Sequence, residues 1–128
     1  MNAKPYFSFI IPVYNEQDNV VPLHKEIVAV AKTLKKPFEI IFVDDGSSDK
    51  TLENLKKLTP IKILVLRKNS GQSAALDAGI KASQGEILIT MDGDGQNDPA
   101  DVPKMLAKLN GFDAVCGWRH KRQDPFSK

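Results

Sequence analysis

The chain has 128 residues, of which 41% are hydrophobic and 27% are charged, and this composition predicts one ordinary domain with a core, covering residues 1–128. The net charge of +2 is too small an excess of basic residues to indicate nucleic-acid binding. No stretch approaches the roughly 18 apolar residues that cross a bilayer, and residues 1–5 lack the apolar middle of a signal peptide, which predicts a soluble, cytosolic chain.

Apolar runs bounded by polar turns predict buried strands. There are five of them: Phe7–Val13, Phe38–Val43, Ile61–Leu66, Ile87–Met91 and Ala114–Cys116. Cys116 is the single cysteine, so it forms no internal disulfide. Its apolar run predicts a small buried side chain without a catalytic role.

Segments with helical spacing lie between these runs. The first predicted helix runs from Leu23 to Leu34, with Asn19 or Asp18 as its N-cap, and the second runs from Leu52 to Leu58 after Asp49. The third runs from Ala75 to Ala82; Ser73 precedes it and Gly85 can terminate it. The fourth begins at Asp98 and Pro99, as a cap and first-turn pair, and ends near Leu109. The alternation of strands and helices predicts a Rossmann-like α/β fold, with a mainly parallel sheet and helices on both faces.

Ligands of open parallel sheets bind beyond the carboxyl ends of the strands. The segments that follow the first four predicted strands are polar and often acidic. They are residues 12–16, 44–49, 67–71 and 92–96. We expect these four segments to meet along one edge of the sheet.

Asp92 and Asp94 stand one residue apart at a strand exit, where a turn brings two carboxylates together. A hard divalent cation would relieve their repulsion and attract a diphosphate. For such a pair alone, a solvated acidic turn is the simpler interpretation. A calcium loop is excluded because its sixth and twelfth positions would be Asn97 and Pro103. An aspartyl-phosphate phosphatase remains an alternative on the local pattern.

Asp44 and Asp45 follow a buried strand, and a carboxylate there commonly accepts a hydrogen bond from a ribose hydroxyl or a base N–H. Helix capping is the alternative, and it fits Asp49 better. A receiver domain would place its paired acidic residues after the first strand. Residues 69–73 open a helix whose N–H groups could meet phosphate or sugar, although a tight turn is the simpler interpretation. His24 has no second ligand nearby, which predicts a structural role.

The order of these motifs resembles family 2 of the inverting glycosyltransferases, which have the nucleotide-diphospho-sugar transferase fold of GT-A type. The resemblance covers nearly the whole chain. The matching segments are residues 11–16, 43–49, 69–71 and 91–96. The sequence from Asp92 to Pro99 and the basic segment 117–124 are most similar to the branch that glycosylates polyprenyl phosphates, the relatives of dolichol-phosphate mannosyltransferase.

The resemblance implies a donor site, a metal and a set of residues for each. The donor contacts that it implies come from Pro12, Tyr14, Glu16, Asp44 or Asp45, Asn69 and Arg122. The metal that it implies is Mg²⁺ or Mn²⁺, held by Asp92, Asp94 and Gln96. It implies catalytic roles for Asp92, Asp94 and Arg119. Arg119 and Arg122 would face the phosphates, since guanidinium groups form bidentate hydrogen bonds with phosphate.

The resemblance also implies a nucleoside-diphosphate sugar donor and a polyprenyl phosphate acceptor at the cytoplasmic face of a membrane. It further implies an acceptor-binding part and membrane helices beyond residue 128, so we expect a truncated portion of a catalytic domain, inactive by itself and able to form homo-oligomers. Transfer to a sugar hydroxyl of a polysaccharide and a nucleotide-binding module without catalysis are the alternatives.

Overall fold

The structure is a computed structural model that describes residues 4–67, 70–91 and 114–115. The described residues form a five-stranded parallel sheet with the strand order β3-β2-β1-β4-β5. Its strands are β1 Phe7–Val13, β2 Phe38–Asp44, β3 Lys62–Val65, β4 Ile87–Thr90 and β5 Ala114–Val115. The predicted parallel α/β fold is therefore confirmed, and each strand lies within one residue of its predicted bounds.

Three helices connect these strands: α1 Val20–Thr33, α2 Thr51–Leu55 and α3 Gln72–Ala82. The predicted N-cap position Asn19 is confirmed, but its side chain makes no capping bond and donates from Nδ2 to Oε1 of Glu16 at 2.7 Å. Ser73 does not cap α3, because the helix begins one residue earlier, after Gly71. The predicted helix from Asp98 to Leu109 lies outside the described residues.

Helices cover both faces of the sheet, as the sequence predicts. Phe9 and Ile11 of β1 belong to the core cluster that includes residues of α1 and α2. Ile10, whose side chain points to the opposite face, packs in a second cluster with Ala75 of α3. The alternation of side chains along β1 thus distributes the apolar residues of one strand between two helical layers.

Gly85 does not end α3, which stops at Ala82. A Cβ atom at Gly85 would lie only 2.8 Å from the backbone nitrogen of Ser8 and 2.9 Å from the carbonyl carbon of Phe7. The glycine is therefore needed because the chain passes close against β1, which requires a missing side chain rather than a special φ angle.

Glu39 connects several elements at the amino ends of the strands. Its Oε2 accepts hydrogen bonds from the Ser8 hydroxyl at 2.6 Å and from the Gln84 N–H at 2.7 Å, and its Oε1 pairs with Lys62 at 3.0 Å. Burial acts to raise the pKa of Glu39, but these donors and the Lys62 charge outweigh it and lower the pKa below 4.5. This network joins β1, β2, β3 and the segment before β4.

None of the helices in the described residues has the length and apolar content needed to cross a membrane.

Candidate donor-binding edge

The strand order reverses at β1. The chain moves outward from β1 through β2 to β3, and it then returns to the other side of β1 to form β4. Such a reversal leaves a crevice between the two neighbouring central strands, at their carboxyl ends. The described residues that follow β1 and β2, together with Met91 after β4, border this crevice, which we call the donor edge: residues 12–17, 44–51 and 91.

Pro12 lies just beyond the described pairing between β1 and β4. Among the described residues, pairing between them ends at Ile10 opposite Thr90, and the Met91 N–H donates to the Ile10 carbonyl at 3.0 Å. On β1 the backbone groups of alternate residues face the same neighbour, so position 12 faces β4 as position 10 does. Proline has no N–H to extend that ladder. Pro12 therefore cannot donate a further ladder hydrogen bond towards β4.

Tyr14 and Glu16 follow β1 directly and differ in their surroundings. The Tyr14 side chain is 42% exposed at the donor edge. Glu16 accepts from Asn19 through its carboxylate, and its backbone N–H donates to the Thr51 hydroxyl at 2.8 Å. Tyr14 is thus open to a ligand, whereas Glu16 is already fixed by α1 and by the start of α2.

Asn15 connects the loop after β1 to the loop after β2. Its Oδ1 accepts from the N–H groups of Ser48 at 2.8 Å and Asp49 at 3.3 Å, and its own N–H donates to the Ser47 hydroxyl at 2.8 Å. The residue has a φ of 52°, in the left-handed region that asparagine tolerates better than most residues. No motif in the sequence marked Asn15 as a site residue. Its position between a strand and a helix is the only local signal for such a turn.

Asp49 and Thr51 reinforce the same connection. The Thr51 hydroxyl and N–H both donate to Oδ1 of Asp49, and the Gln17 N–H donates to Oδ2 at 3.4 Å. Desolvation acts to raise the pKa of Asp49, but these hydrogen bonds lower it below 3.8. Asp49 therefore acts in the turn before α2, as the sequence predicts, but it does not cap the helix, whose N-cap is Lys50.

Asp44 and Asp45 are both buried, but they point to different sides of the sheet. Their peptide link is held on both sides, because the Asp45 N–H donates to Val13 and the Asp44 carbonyl accepts from Leu66, each at 2.9 Å. Asp45 accepts from the N–H groups of Ser70 and Gly71 at 2.8 and 2.9 Å. Within the described part of the chain, Asp44 accepts one long bond, from the Ser47 N–H at 3.3 Å.

Several predicted site residues lie outside the described residues. They are Asn69, Asp92, Asp94, Gln96, Arg119 and Arg122. Met91 is described and fully buried, and its N–H bond to the Ile10 carbonyl places it at the carboxyl end of β4, immediately before Asp92 in the sequence. Among the residues that the structure describes, no group of three or more acidic, histidine or cysteine side chains could hold a metal.

His24 lies away from this edge and is structural, as predicted. It is 5% exposed, its Nε2 is 2.8 Å from the Pro60 carbonyl, and its ring lies tilted against Phe42.

Comparison with known families gives an unambiguous match. The family described as Glycosyl transferase family 2 matches residues 8–128. The chain belongs to glycosyltransferase family 2. The resemblance found in the sequence is therefore confirmed, and the match includes every segment of the donor edge.

Curated members of family 2 that resemble this chain are named as polyprenyl-phosphate sugar transferases. A dodecaprenyl-phosphate galacturonate synthase of Rhizobium johnstonii is 40% identical over 124 residues, covering 91% of this chain and 37% of the relative. An undecaprenyl-phosphate 4-deoxy-4-formamido-L-arabinose transferase of Salmonella paratyphi A is 41% identical over 123 residues, covering 91% of this chain and 38% of the relative. The chain thus spans less than two fifths of the length of these relatives.

The family 2 fold is also found in solved structures. A mannosyltransferase of Pyrobaculum calidifontis, solved in complex with GDP-Man and Mn²⁺, superposes with a TM-score of 0.65 at 22% identity, over 79% of this chain and 31% of the other. At that identity the likeness establishes the GT-A type of fold alone.

Proposed function

We propose that the protein transfers a sugar from a nucleoside-diphosphate sugar to a polyprenyl phosphate, with inversion at the anomeric carbon and with the help of a divalent cation. Family membership and the names of the curated relatives support the reaction class and the lipid acceptor. The donor, the stereochemical course and the cation are inferences from the donor edge and its motifs.

The environment of Asp44 carries the donor-site proposal. Asp44 is 1% exposed, and among the described residues its carboxylate accepts only one long hydrogen bond, from the Ser47 N–H, so it keeps acceptor capacity for a ligand. A nucleoside base offers an N–H, and a ribose offers hydroxyls, that would donate to it. Asp44 lies at the end of a central strand beside the crevice, where such a group can approach. We therefore assign Asp44 to the nucleoside.

Tyr14 and Pro12 would form the neighbouring wall of this nucleoside pocket. The exposed Tyr14 ring offers an aromatic surface for a base, and Pro12 donates no further ladder hydrogen bond towards β4. Glu16, whose carboxylate is already bound to Asn19, would contribute mainly by fixing the loop.

The predicted cation ligands are chemically suited to Mg²⁺ or Mn²⁺. Asp92, Asp94 and Gln96 offer carboxylate and amide oxygens, which are the hard donors that these ions take. When bound, the cation would neutralise charge on the departing nucleoside diphosphate. Arg119 and Arg122 would add guanidinium contacts to the same phosphates.

A polyprenyl phosphate acceptor fits the absence of an obvious general base among the predicted site residues. A phosphate monoester has a second pKa near about 6, so it is largely dianionic at neutral pH and needs no deprotonation before attack. A sugar hydroxyl would need a base. This chemistry favours the lipid phosphate over the polysaccharide acceptor.

Nucleotide binding by the chain tests the donor site first. We expect UDP, GDP, CDP or ADP to raise the melting temperature in the presence of Mn²⁺, because a ligand that binds only the folded state stabilises it. Asp92→Asn should remove the metal-dependent part of the rise, and Asp44→Asn should remove most of the binding. Asp18→Asn, which makes the same charge change at an exposed position beside α1, should bind like the wild type.

Transfer itself is tested by incubating the protein in detergent with nucleotide sugars and undecaprenyl phosphate. A glycosylated lipid phosphate detected by mass spectrometry would establish the acceptor. Metal-dependent nucleotide binding without transfer to that lipid, but with transfer to a glycan hydroxyl, would overturn the acceptor assignment and leave the donor site intact.

A further inference from the structure

The entry to α2 is capped by side chains of the loop that follows β1. The helix has Lys50 as its N-cap, and that side chain makes no capping hydrogen bond. The N–H groups of residues 48–50 bond a segment 33 or 34 residues away in sequence instead. Oδ1 of Asn15 accepts from Ser48 and from Asp49, and Oε1 of Gln17 accepts from Lys50 at 2.9 Å.

The same contact also runs from the loop towards α2. The Asn15 N–H donates to the Ser47 hydroxyl and the Glu16 N–H donates to the Thr51 hydroxyl, each at 2.8 Å. Thr51 is fully buried, so its bond to Glu16 is shielded from competing water. Residues 14–17 lie outside the helices and strands, and these bonds therefore fix their backbone against α2 and its entry.

Two kinds of residue alternate along this loop. Tyr14 and Glu16 are predicted donor residues, whereas Asn15 and Gln17 use their side chains to bond the entry of α2. The Tyr14 side chain is 42% exposed, so packing of its own holds it only in part and its place on the donor edge follows that of the backbone. The next residue, Asn15, turns the chain with a φ of 52°, and its Oδ1 contacts stabilise that turn.

We propose that Asn15 and Gln17 are positioning residues that hold Tyr14 on the donor edge by tying its loop to the entry of α2, and that they act without contacting the nucleotide. This inference rests on the proposed function, in which the Tyr14 ring offers a surface to the base. It makes nucleotide affinity depend on hydrogen bonds internal to the protein, formed by the start of a helix that itself lies outside the proposed pocket.

NMR order parameters of the nucleotide-free protein test the positioning. Asn15→Gly keeps the positive φ and removes the Oδ1 acceptor. We expect the order parameters of the backbone amides of residues 14–17 to fall from about 0.85 to below about 0.6, while those of the buried strand residues Ile10 and Ile41 stay unchanged. Asn15→Asp keeps the acceptor and tolerates a positive φ, so its loop should remain as rigid as that of the wild type.

Calorimetric titration with Mn²⁺ and UDP, GDP, CDP or ADP tests the effect on affinity. We expect Asn15→Gly to weaken nucleotide binding about tenfold, and Gln17→Ala, which removes only the acceptor of the Lys50 N–H, to weaken it less. Asn15→Asp should bind like the wild type, because positioning needs only Oδ1. Gln17→Ala also serves if Asn15→Gly does not fold.

A control variant separates positioning from a general loss of stability. Glu39→Gln disturbs the hydrogen bonds at the amino ends of the strands, away from the donor edge. It should leave nucleotide affinity and the order parameters of residues 14–17 at their wild-type values, even where it lowers the free energy of unfolding.

Affinity lost in Asn15→Asp as in Asn15→Gly, with a rigid loop in the former, would make the Asn15 amide a nucleotide contact and overturn the inference. A rigid loop in Asn15→Gly, or a mobile loop that binds nucleotide with wild-type affinity, would overturn it as well and leave the donor site intact. If the wild type binds none of the four nucleotides but Asn15→Gly mobilises residues 14–17, the proposed function fails while the positioning of the loop by Asn15 stands.

Discussion

Gly79 of α3 lies directly over Ile10 of β1, so closely that a Cβ atom at Gly79 would be 2.5 Å from Cγ2 of Ile10. The same atom would be 3.1 Å from Cγ2 of Val43 on β2. The missing side chain lets α3 approach the two central strands. The helix that Asp45 anchors at one end is thus seated on the sheet at its middle.

Gly79→Ala should therefore destabilise the protein. Replacing an exposed helical glycine with alanine raises the free energy of unfolding by up to about 1 kcal/mol. Overpacking lowers it by about 1–3 kcal/mol, and here the added methyl group would meet buried strand residues. We expect a lower urea midpoint with an unchanged m-value. Ser73→Ala, at an exposed position of the same helix, is the control and should be neutral or slightly stabilising. A stabilised Gly79→Ala variant would show that α3 is not seated this closely.

Glu39→Gln should change how stability depends on pH. The pKa of Glu39 is lower in the folded state, so its contribution is present above its ordinary value of 4.5 and is lost as the pH falls through the folded pKa. We expect wild-type stability to decline from near pH 5 downward and the decline to be shallower in Glu39→Gln. Urea unfolding between about pH 3 and pH 7 measures both curves. Parallel curves would contradict the Glu39 network.

Asn15→Gly tests the connection between the first two loops without straining the backbone. Glycine keeps the positive φ but loses the Oδ1 acceptor, so we expect a loss of about 1–2 kcal/mol and weaker protection of the Ser48 and Asp49 amides. Lys35→Gly is the matched control, because Lys35 also has a positive φ, of 58°, at an exposed position. Because glycine adopts a positive φ without strain, Lys35→Gly should raise the free energy of unfolding by about 0.5–1 kcal/mol. Equal effects of the two substitutions would rule out the connection.

Thr90→Val should stabilise the protein or leave it unchanged. Thr90 is 4% exposed, and its hydroxyl has no hydrogen-bond partner among the described residues. Valine has the same shape without a buried hydroxyl, so the gain is about 1 kcal/mol or less. Thr51→Val is the contrasting variant, because the fully buried Thr51 hydroxyl bonds Asp49 and Glu16, and its loss should cost about 1–3 kcal/mol. A destabilised Thr90→Val variant would reveal a partner for that hydroxyl.

The sequence was sufficient for the strands and for the α/β fold. Phe7–Val13 was predicted at its observed bounds, since a run of apolar residues buried on both faces carries its own signal. The motif after each strand was readable for the same reason, because parallel strands bring all their carboxyl ends to one edge. The helix starts were less accurate, as Ser73 shows, because several residues compete locally for one cap.

The tertiary structure alone decided which hydrogen bonds each of two adjacent aspartates accepts. Asp44 and Asp45 are identical in type and adjacent in sequence, and only the placement of α3 on one face and of α1 and α2 on the other gives them different partners. The Asn15 contacts likewise join residues 33 and 34 positions apart. A residue's own preferences fix its strand or turn, whereas its hydrogen-bond partner depends on how distant segments pack, and that information is not local to the sequence.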